Sequence, residues 1–568
     1  MNTDVVISGL GPTGLALAHL LGRRGHRVVV LEREPEFYGN ARAVYTDDEC
    51  MRIFQSADLA TELQSNMLLE TPCQWVGPRG EIMGQYFPTK RPFGWPVLNF
   101  FYQPYLETSL AEHLARYPQV IVHRGRELTG FSQDDEGVTV THEGAGGDAH
   151  TIRARYLIGA DGGRSTVRTL LGICMTGKNF PEPWLVVDIQ SKGTGSEDGL
   201  RHLPYFNFHC DPACPAVSCP QPDGHHRFEF MLRPGQTKEE MEKPETVRRY
   251  LSRFVDPDQF EVKRRLVYTF NALVANRWRQ GRVFLAGDAA HMTPQFMGQG
   301  MSSGLRDAYN LAWKLDAVLR GKAADALLDT YEAERRHHAK AMIDISVRMK
   351  QMVSASTPWG SAIRNAVAAI IRKTPPLRDW VRQGGFKPTP TYAPGYFGIA
   401  RTRRGGPEGR LVPQPEVRRL DGRRVLLDHV LGEGFALVGL GVDPRAGLSG
   451  ASCAFLDGLG ASFVTLFGYG ERPQGHCGVS RSTPAGLTEV EDLEGDMLRW
   501  CRKASMARGA ILVIRPDKFL FGVGHGKNVD DVIGELRTRL GATPVPNAIP
   551  VRAGERYSPQ HGETVRQH

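Results

Sequence analysis

The sequence predicts an α/β fold in three parts: a parallel sheet at the N-terminal end, an antiparallel sheet inserted into it, and a small strand-helix unit near the C-terminal end. Three observations predict it. The run Asp4-Val5-Val6-Ile7-Ser8 is short, apolar and β-branched, as in a buried parallel strand, and leads straight into Gly9-Leu10-Gly11-Pro12-Thr13-Gly14. Far downstream, Val283-Phe284-Leu285-Ala286 leads into Gly287-Asp288 in the same way. Between them, residues 176–275 alternate like an antiparallel sheet, with Trp184–Ile189 as the clearest strand.

After the first glycines, Leu15, Ala16, Ala18, Leu20 and Leu21 continue as a helix that stops near Gly22 and Gly25. His26 to Leu31 is then a second strand ending in Glu32. This order is the βαβ fingerprint of a dinucleotide site. Gly9 allows the tight turn, Gly11 lets the backbone approach a pyrophosphate, and Gly14 allows close packing of helix on strand. Free N–H groups at the helix start, from Thr13 onward after Pro12, meet phosphates. Glu32, followed by Arg33, stands where a carboxylate accepts from a ribose hydroxyl. Two further carboxyl-glycine turns follow buried strands. Tyr156–Ala160 delivers Asp161-Gly162-Gly163, with Ser165 and Arg168 on a new helix; Val283–Ala286 delivers Gly287-Asp288, with Pro294 beyond. Asp161 and Asp288 can accept from ribose or ribityl hydroxyls, or each can cap a helix. Gly298, Gly300 and Met301 open a helical tract that runs with breaks to about Met352, so N–H groups there can meet a flavin edge or a phosphate. His291 reads as a phosphate contact or as a scaffold histidine. Together the turns point to one dinucleotide, FAD, held from both ends by distant parts of the chain.

Composition bounds the remainder. With 568 residues there is room for two to four domains. Charged residues are 23% and hydrophobic ones 41%, as in a globular enzyme, and no apolar run approaches the ~20 residues of a membrane span. The chain opens directly into a strand, so we expect no signal peptide and a cytoplasmic protein. Its +8 charge is scattered, which favours anionic small molecules over nucleic acid. Nine cysteines without a CxxC pair read as free thiols. His209, Cys210, Cys214, Cys219, His225 and His226 lack paired zinc spacing, so no metal is expected.

The expected layout is a discontinuous, Rossmann-like FAD-binding domain (1–175 and 276–372), a substrate-binding sheet domain (176–275), a Pro/Gly-rich linker (373–432), a thioredoxin-like domain (433–552) and a disordered tail (553–568). Val120–Val122, Leu128–Phe131 and Val138–Val140 are read as hairpin strands.

The set GxGxxG, Arg42, Gln103, Asp161-Gly162 with Arg168, and Gly287-Asp288 through Leu315 resembles the class A flavoprotein aromatic hydroxylases over about residues 4–350. The C-terminal unit looks like the thioredoxin-like appendage of their phenol hydroxylase branch. Asp47-Asp48-Glu49, Phe93-Gly94-Trp95-Pro96, Arg227–Met231 and Tyr268–Ala272 resemble the members that act on 3-(3-hydroxyphenyl)propionate. Two departures stand near the expected flavin ring: Ser302, where the family often has asparagine, and Gln295-Phe296-Met297, in place of a proline-glycine segment.

The resemblance implies bound FAD, transient NADH or NADPH, O2, and hydroxylation of a phenolic acid ortho to its hydroxyl to give a catechol. It implies cofactor contacts from Arg42 and Gln103. Only one good dinucleotide fingerprint is present, which fits transient use of the nicotinamide. Removing the phenol proton requires a base. Asp47 and Asp48 are the candidates from their place after Arg42, a helix start being the alternative; Arg42 itself is expected to face the cofactor or the nicotinamide. A homodimer is common in such enzymes. Competing readings are a hydroxylase of a polyketide or other polycyclic phenol, a flavin oxidase or dehydrogenase, and a non-enzymatic FAD-binding protein.

Overall fold

The computed structural model describes residues 2–541 except 38, 40, 41, 181, 194–198, 295, 297, 356, 393–405, 474–485 and 527. The expected tail, 553–568, lies outside the described residues, as do Gln295 and Met297.

The main sheet runs, from one edge, through Arg279–Gln280, Val283–Leu285, Ala149–Gly159, Asn2–Ser8, Val28–Glu32 and Val120–Arg124. Val5, Val6, Ile7 and Val28 to Val30 are fully buried, which is why these strands read as continuous apolar runs. The central strands are parallel, and Ser8 pairs with Gly159, which pairs with Leu285. The three glycine turns therefore leave the same end of three adjacent strands. That is the carboxyl edge where open α/β sheets bind ligands. The first turn feeds the helix Pro12–Arg23, which starts with proline at its first position and buries Leu15, Leu17, Leu20 and Leu21. The helix Gln299–Leu319 packs beside it and buries Leu305, Leu311 and Leu315. One expected strand differs. Val120–Arg124 is a parallel edge strand beside Val28–Glu32; the antiparallel hairpin is Arg126–Gln133 with Val138–Gly144, the latter paired to Ala149–Gly159.

The second sheet has seven strands, in the order Phe260–Tyr268, Trp184–Ser191, His225–Met231, Ala216–Pro220, Phe206–His209, Cys73–Val76 and Ile82–Tyr86. The expectation that residues 176–275 supply this sheet is corrected at both ends. Cys73–Val76 pairs in parallel with Phe206–His209, so the first lobe lends two strands. Met175–Asn179 and Asn271–Ala275 instead form a small sheet with His291–Met292. Pairing between segments more than a hundred residues apart leaves no local pattern, which explains the miss.

The C-terminal sheet runs Arg424–Leu426, Glu416–Arg419, Leu487–Asp492, Ser462–Gly468, Ala436–Leu440, Ala510–Ile514, Leu520–His525. The three central strands are parallel and the last two antiparallel, with helices Gly450–Leu459, Asp496–Lys503 and Asn528–Leu540, a thioredoxin-like arrangement. The expected linker is corrected here. Residues 416–431 are two strands and the short helix Asp428–Leu431, and Pro375–Arg382 is helical. Residues 393–405 of the expected linker lie outside the described residues. This unit is tied to the first lobe: Arg52 reaches both Asp428 carboxylate oxygens, at 2.6 and 2.7 Å.

Candidate active site

One cavity of about 930 Å³ runs from the first glycine turn to the face of the seven-stranded sheet. At its nucleotide end the glycines have steric reasons. Gly9 has φ of +105°, and a Cβ on it would lie 2.4 Å from the Ala160 carbonyl oxygen. A Cβ on Gly14 would lie 2.0 Å from Gly9 O, so only glycine lets the helix sit on the strand. A Cβ on Gly11 would meet nothing within 4 Å: that side is open, as a pyrophosphate cradle requires. Gly9, Gly11, Pro12 and Thr13 line the cavity, whereas Gly14 lies behind them. Glu32 is fixed by the backbone N–H groups of Leu10 (2.8 Å) and Glu34 (2.9 Å) and lines the cavity beside Arg33.

The remaining expected cofactor residues divide in the same way. Asp161, Asp288, Gly298, Gly300 and Met301 line the cavity; Gly287 and Pro294 stand behind it. Asp161 partly caps the helix Thr166–Leu170, accepting from the Val167 N–H at 3.1 Å, while its Oδ1 is buried without a partner. An orphaned buried acceptor on the wall fits a ribityl or ribose hydroxyl. Burial pushes the carboxyls of Asp161 and Asp288 above their usual range. Gly298 opens the Gln299–Leu319 helix at φ of +58°, with no room for a Cβ against the Tyr45 ring (2.6 Å). Gln103 Oε1 accepts from the N–H groups of Arg42 (2.6 Å) and Ala43 (2.5 Å), so it positions the Arg42 loop. Arg42 lines the cavity, and its carbonyl accepts from Arg227 at 2.7 Å. The residues present thus fit an extended flavin dinucleotide. His291 is a scaffold residue: it is fully buried and bonded to Asp307 at 2.6 Å, and Asp307 also accepts from Gly287 N–H.

The two expected carboxylate bases are placed differently from expectation. Asp47 is the N-cap of the helix Asp48–Ser56, accepting from the Cys50 N–H at 3.1 Å. It also accepts from Arg306 (2.6 Å) and Lys387 (2.7 Å). Burial opposes its charge, but Arg306 and Lys387 hold it well below the usual carboxylate range. Asp48 is buried beside it, and desolvation, with Asp47 and Glu49 nearby, pushes it up to about 7 against the pull of Lys387. Neither is among the residues lining the cavity. A helix cap held by two cations has structural work to do, and one of those cations, Lys387, itself lines the cavity.

What faces the cavity instead is the sheet. Val186, Glu229 and Val217 sit opposite one another on three neighbouring strands, continued by Phe208 and Trp75. Glu229 is a carboxyl in an otherwise apolar row, and burial pushes it up to about 7 against nearby Arg227. Among the described residues its carboxylate has no hydrogen-bond partner. Arg227 is held by Asp188 at 2.6 and 3.1 Å. The sequence reading missed Glu229 as a functional group. Its signal was a charged residue at an inward position of the strand His225–Met231. Tyr86 and Phe206 on the same sheet, with Tyr45, Phe100 and Phe386 from outside it, complete an aromatic chamber.

A dinucleotide cradle at the carboxyl edge of a parallel sheet, opening onto an aromatic chamber, defines a flavin-dependent aromatic hydroxylase. The chain belongs to the FAD binding domain family, whose model matches residues 2–346; residues 409–539 match the HcaD C-terminal domain. It is 36% identical over 602 residues to a 3-(3-hydroxy-phenyl)propionate/3-hydroxycinnamic acid hydroxylase of Paraburkholderia xenovorans, covering 97% of this chain and 94% of that one. It is 38% identical over 520 residues to a second such hydroxylase from Burkholderia vietnamiensis, covering 91% and 93%. Among solved structures it is similar to the flavin-dependent monooxygenase PieE in complex with FAD and substrate, with a TM-score of 0.75, 20% identity, and 95% and 99% of the two chains covered. OxyS anhydrotetracycline hydroxylase from Streptomyces rimosus has a TM-score of 0.71 and 25% identity, with 96% and 100% covered. The protein is an FAD-dependent aromatic monooxygenase. No helix among the described residues is long and apolar enough to cross a membrane.

Proposed function

We propose that this enzyme hydroxylates a phenolic acid ortho to its hydroxyl, with 3-(3-hydroxyphenyl)propionate and 3-hydroxycinnamate as substrates and a catechol as product. NADH or NADPH supplies the electrons and O2 the oxygen. The observation that carries the reading is the single cavity joining the dinucleotide cradle to the aromatic chamber. Relatives that share over nine-tenths of this chain and bear those substrates' names support it. When bound, FAD would supply the redox chemistry that takes electrons from the nicotinamide and places one atom of O2 on the ring, the other leaving as water.

The chain's own residues do the rest. Gly9, Gly11 and the N–H groups at the start of Pro12–Arg23 receive the pyrophosphate, Glu32 a ribose, and Asp161 and Asp288 hydroxyls of the flavin chain. Gly298, Gly300 and Met301 back the flavin ring, and Arg42 guards it where nicotinamide approaches. The aromatic walls exclude water and orient the substrate ring. Glu229 takes the phenol proton, because it is the cavity-facing carboxyl whose affinity for a proton lies near neutrality.

NADH oxidation and oxygen uptake, with and without 3-(3-hydroxyphenyl)propionate, test the reaction. Both are expected to rise with the acid and yield a catechol; no stimulation would overturn the substrate. For the base, kcat/KM of the wild type should rise with pH through about 7 as Glu229 loses its proton. Glu229→Gln should remove that rise and lower kcat by about 100-fold. A variant that keeps the wild-type pH profile would assign the proton elsewhere.

A further inference from the structure

The hydroxylase reading leaves one question of chemistry: what meets the acid group of the substrate. The walls of the chamber are a connected aromatic cluster. Trp75 stacks on Phe208 with centroids 5.9 Å apart, Phe206 meets Phe208 edge-on at 4.8 Å, and Phe386 packs edge-on against both Trp75 (6.4 Å) and Tyr86 (5.4 Å). Phe386 is followed by Lys387, whose side chain is only 17% exposed and lines the same cavity. The ammonium donates to Asp47 Oδ2 at 2.7 Å. It has three donors, and among the described residues that is the one side chain it serves. Asp47 is itself pinned by the Cys50 N–H and by Arg306, so it holds the lysine in place without using up its donors.

The two cations that the seven-stranded sheet itself brings to the cavity, Arg264 and Arg227, are less well placed for a ring held in this box. Arg264 is on Phe260–Tyr268, at the opposite edge of the seven-stranded sheet from Tyr86. Six strand steps of about 4.8 Å separate them, some 29 Å. Arg227 is already engaged by Asp188 and by the Arg42 carbonyl.

We propose that Lys387 is the anchor for the substrate's carboxylate, and that it selects arenes with an acidic side chain over neutral phenols. This deepens the reading above and rests on it. The segment after Pro375–Arg382 packs onto the chamber through Phe386 and so brings the cation to a wall where the sheet presents Trp75 and Tyr86.

The test uses the FAD-loaded enzyme and two substrates that differ only in charge, 3-(3-hydroxyphenyl)propionate and its amide. Lys387→Met should lower the acid-to-amide ratio of kcat/KM by about 10- to 100-fold, the range of a charged hydrogen bond, with the change in KM rather than kcat. Lys387→Arg should recover most of the ratio. If Lys387→Met fails to fold because Asp47 is stranded, Lys387→Gln keeps a donor for Asp47 and is read in the same way. Binding of 3-phenylpropionate, followed by tryptophan fluorescence, should weaken by the same factor. An unchanged ratio and unchanged affinity would overturn the anchor while normal turnover leaves the reaction standing. Loss of affinity in the variant together with no turnover of the acid by the wild type would keep the anchor and overturn the reaction.

Discussion

Replacing Gly14 with valine is expected to give a colourless protein: FAD retained per chain should fall from near one to below about one-tenth, and NADH oxidation with it. The reason is local and steric. Even a Cβ at this position would lie 2.0 Å from Gly9 O, and Gly9 has no room to retreat, since its own far side faces the Ala160 carbonyl at 2.4 Å from an ideal Cβ. The helix Pro12–Arg23 must lift off the strand Asn2–Ser8, and its first N–H groups leave the position that would meet the pyrophosphate. Gly11→Ala separates the cofactor effect from the folding effect. Its Cβ would meet nothing within 4 Å, so unfolding should match the wild type. The methyl group would nonetheless stand where the pyrophosphate must approach, and FAD affinity should fall by about 100-fold, measured by flavin fluorescence titration of the apoprotein. A fully yellow Gly14→Val protein would remove the phosphate cradle from the reading.

These glycines were legible in the sequence because their reasons are short-range: a turn, a helix start, a strand two residues away. Asp161 and Asp288 were legible for the same reason, each at the end of an apolar run. What the sequence left open at His291 was decided by Asp307, sixteen residues on and one helix away. Asp47 was left open between base and helix start because its partners, Arg306 and Lys387, come from far along the chain, and only the fold reveals that its carboxylate caps a helix and is already occupied. Lys387 carried no signal at all. It stands in a proline-rich stretch that composition marks as a connector, and its meaning comes from a wall assembled by Cys73–Val76, Ile82–Tyr86 and Phe206–His209. Strands borrowed across more than a hundred residues are set by long-range pairing and burial, which no window of sequence contains.

The same limit hid the junction that holds the C-terminal unit in place, and the second large effect is expected there. Alanine at Glu334 should lower the free energy of unfolding by about 3–5 kcal/mol, the cost of stranding buried cations. Glu334 is fully buried and accepts from Asn310 (2.6 Å), from Lys314 (2.7 Å) and from both outer nitrogens of Arg515 (2.7 and 2.9 Å). Arg515 lies just beyond Ala510–Ile514 in the C-terminal sheet and also holds Asp517. Asn310 and Lys314 belong to the helix that opens with Gly298 and Gly300. One carboxylate therefore fixes the C-terminal unit to the helix that presents the expected flavin turn. Burial opposes its charge, but Arg515 and Lys314 hold it down at about 2, against an ordinary value of 4.5. A carboxyl held below its unfolded value stabilises fully above about 4.5, and that contribution is lost as pH falls through about 2. Urea unfolding of wild type and Glu334→Ala should thus differ most near neutrality and converge on acidification. Warming should release FAD from the variant before the wild type, because the loosened helix carries the turn. A difference below 1 kcal/mol at pH 7, or one that does not shrink with acid, would mean that the ion cluster pairs its cations equally well without Glu334.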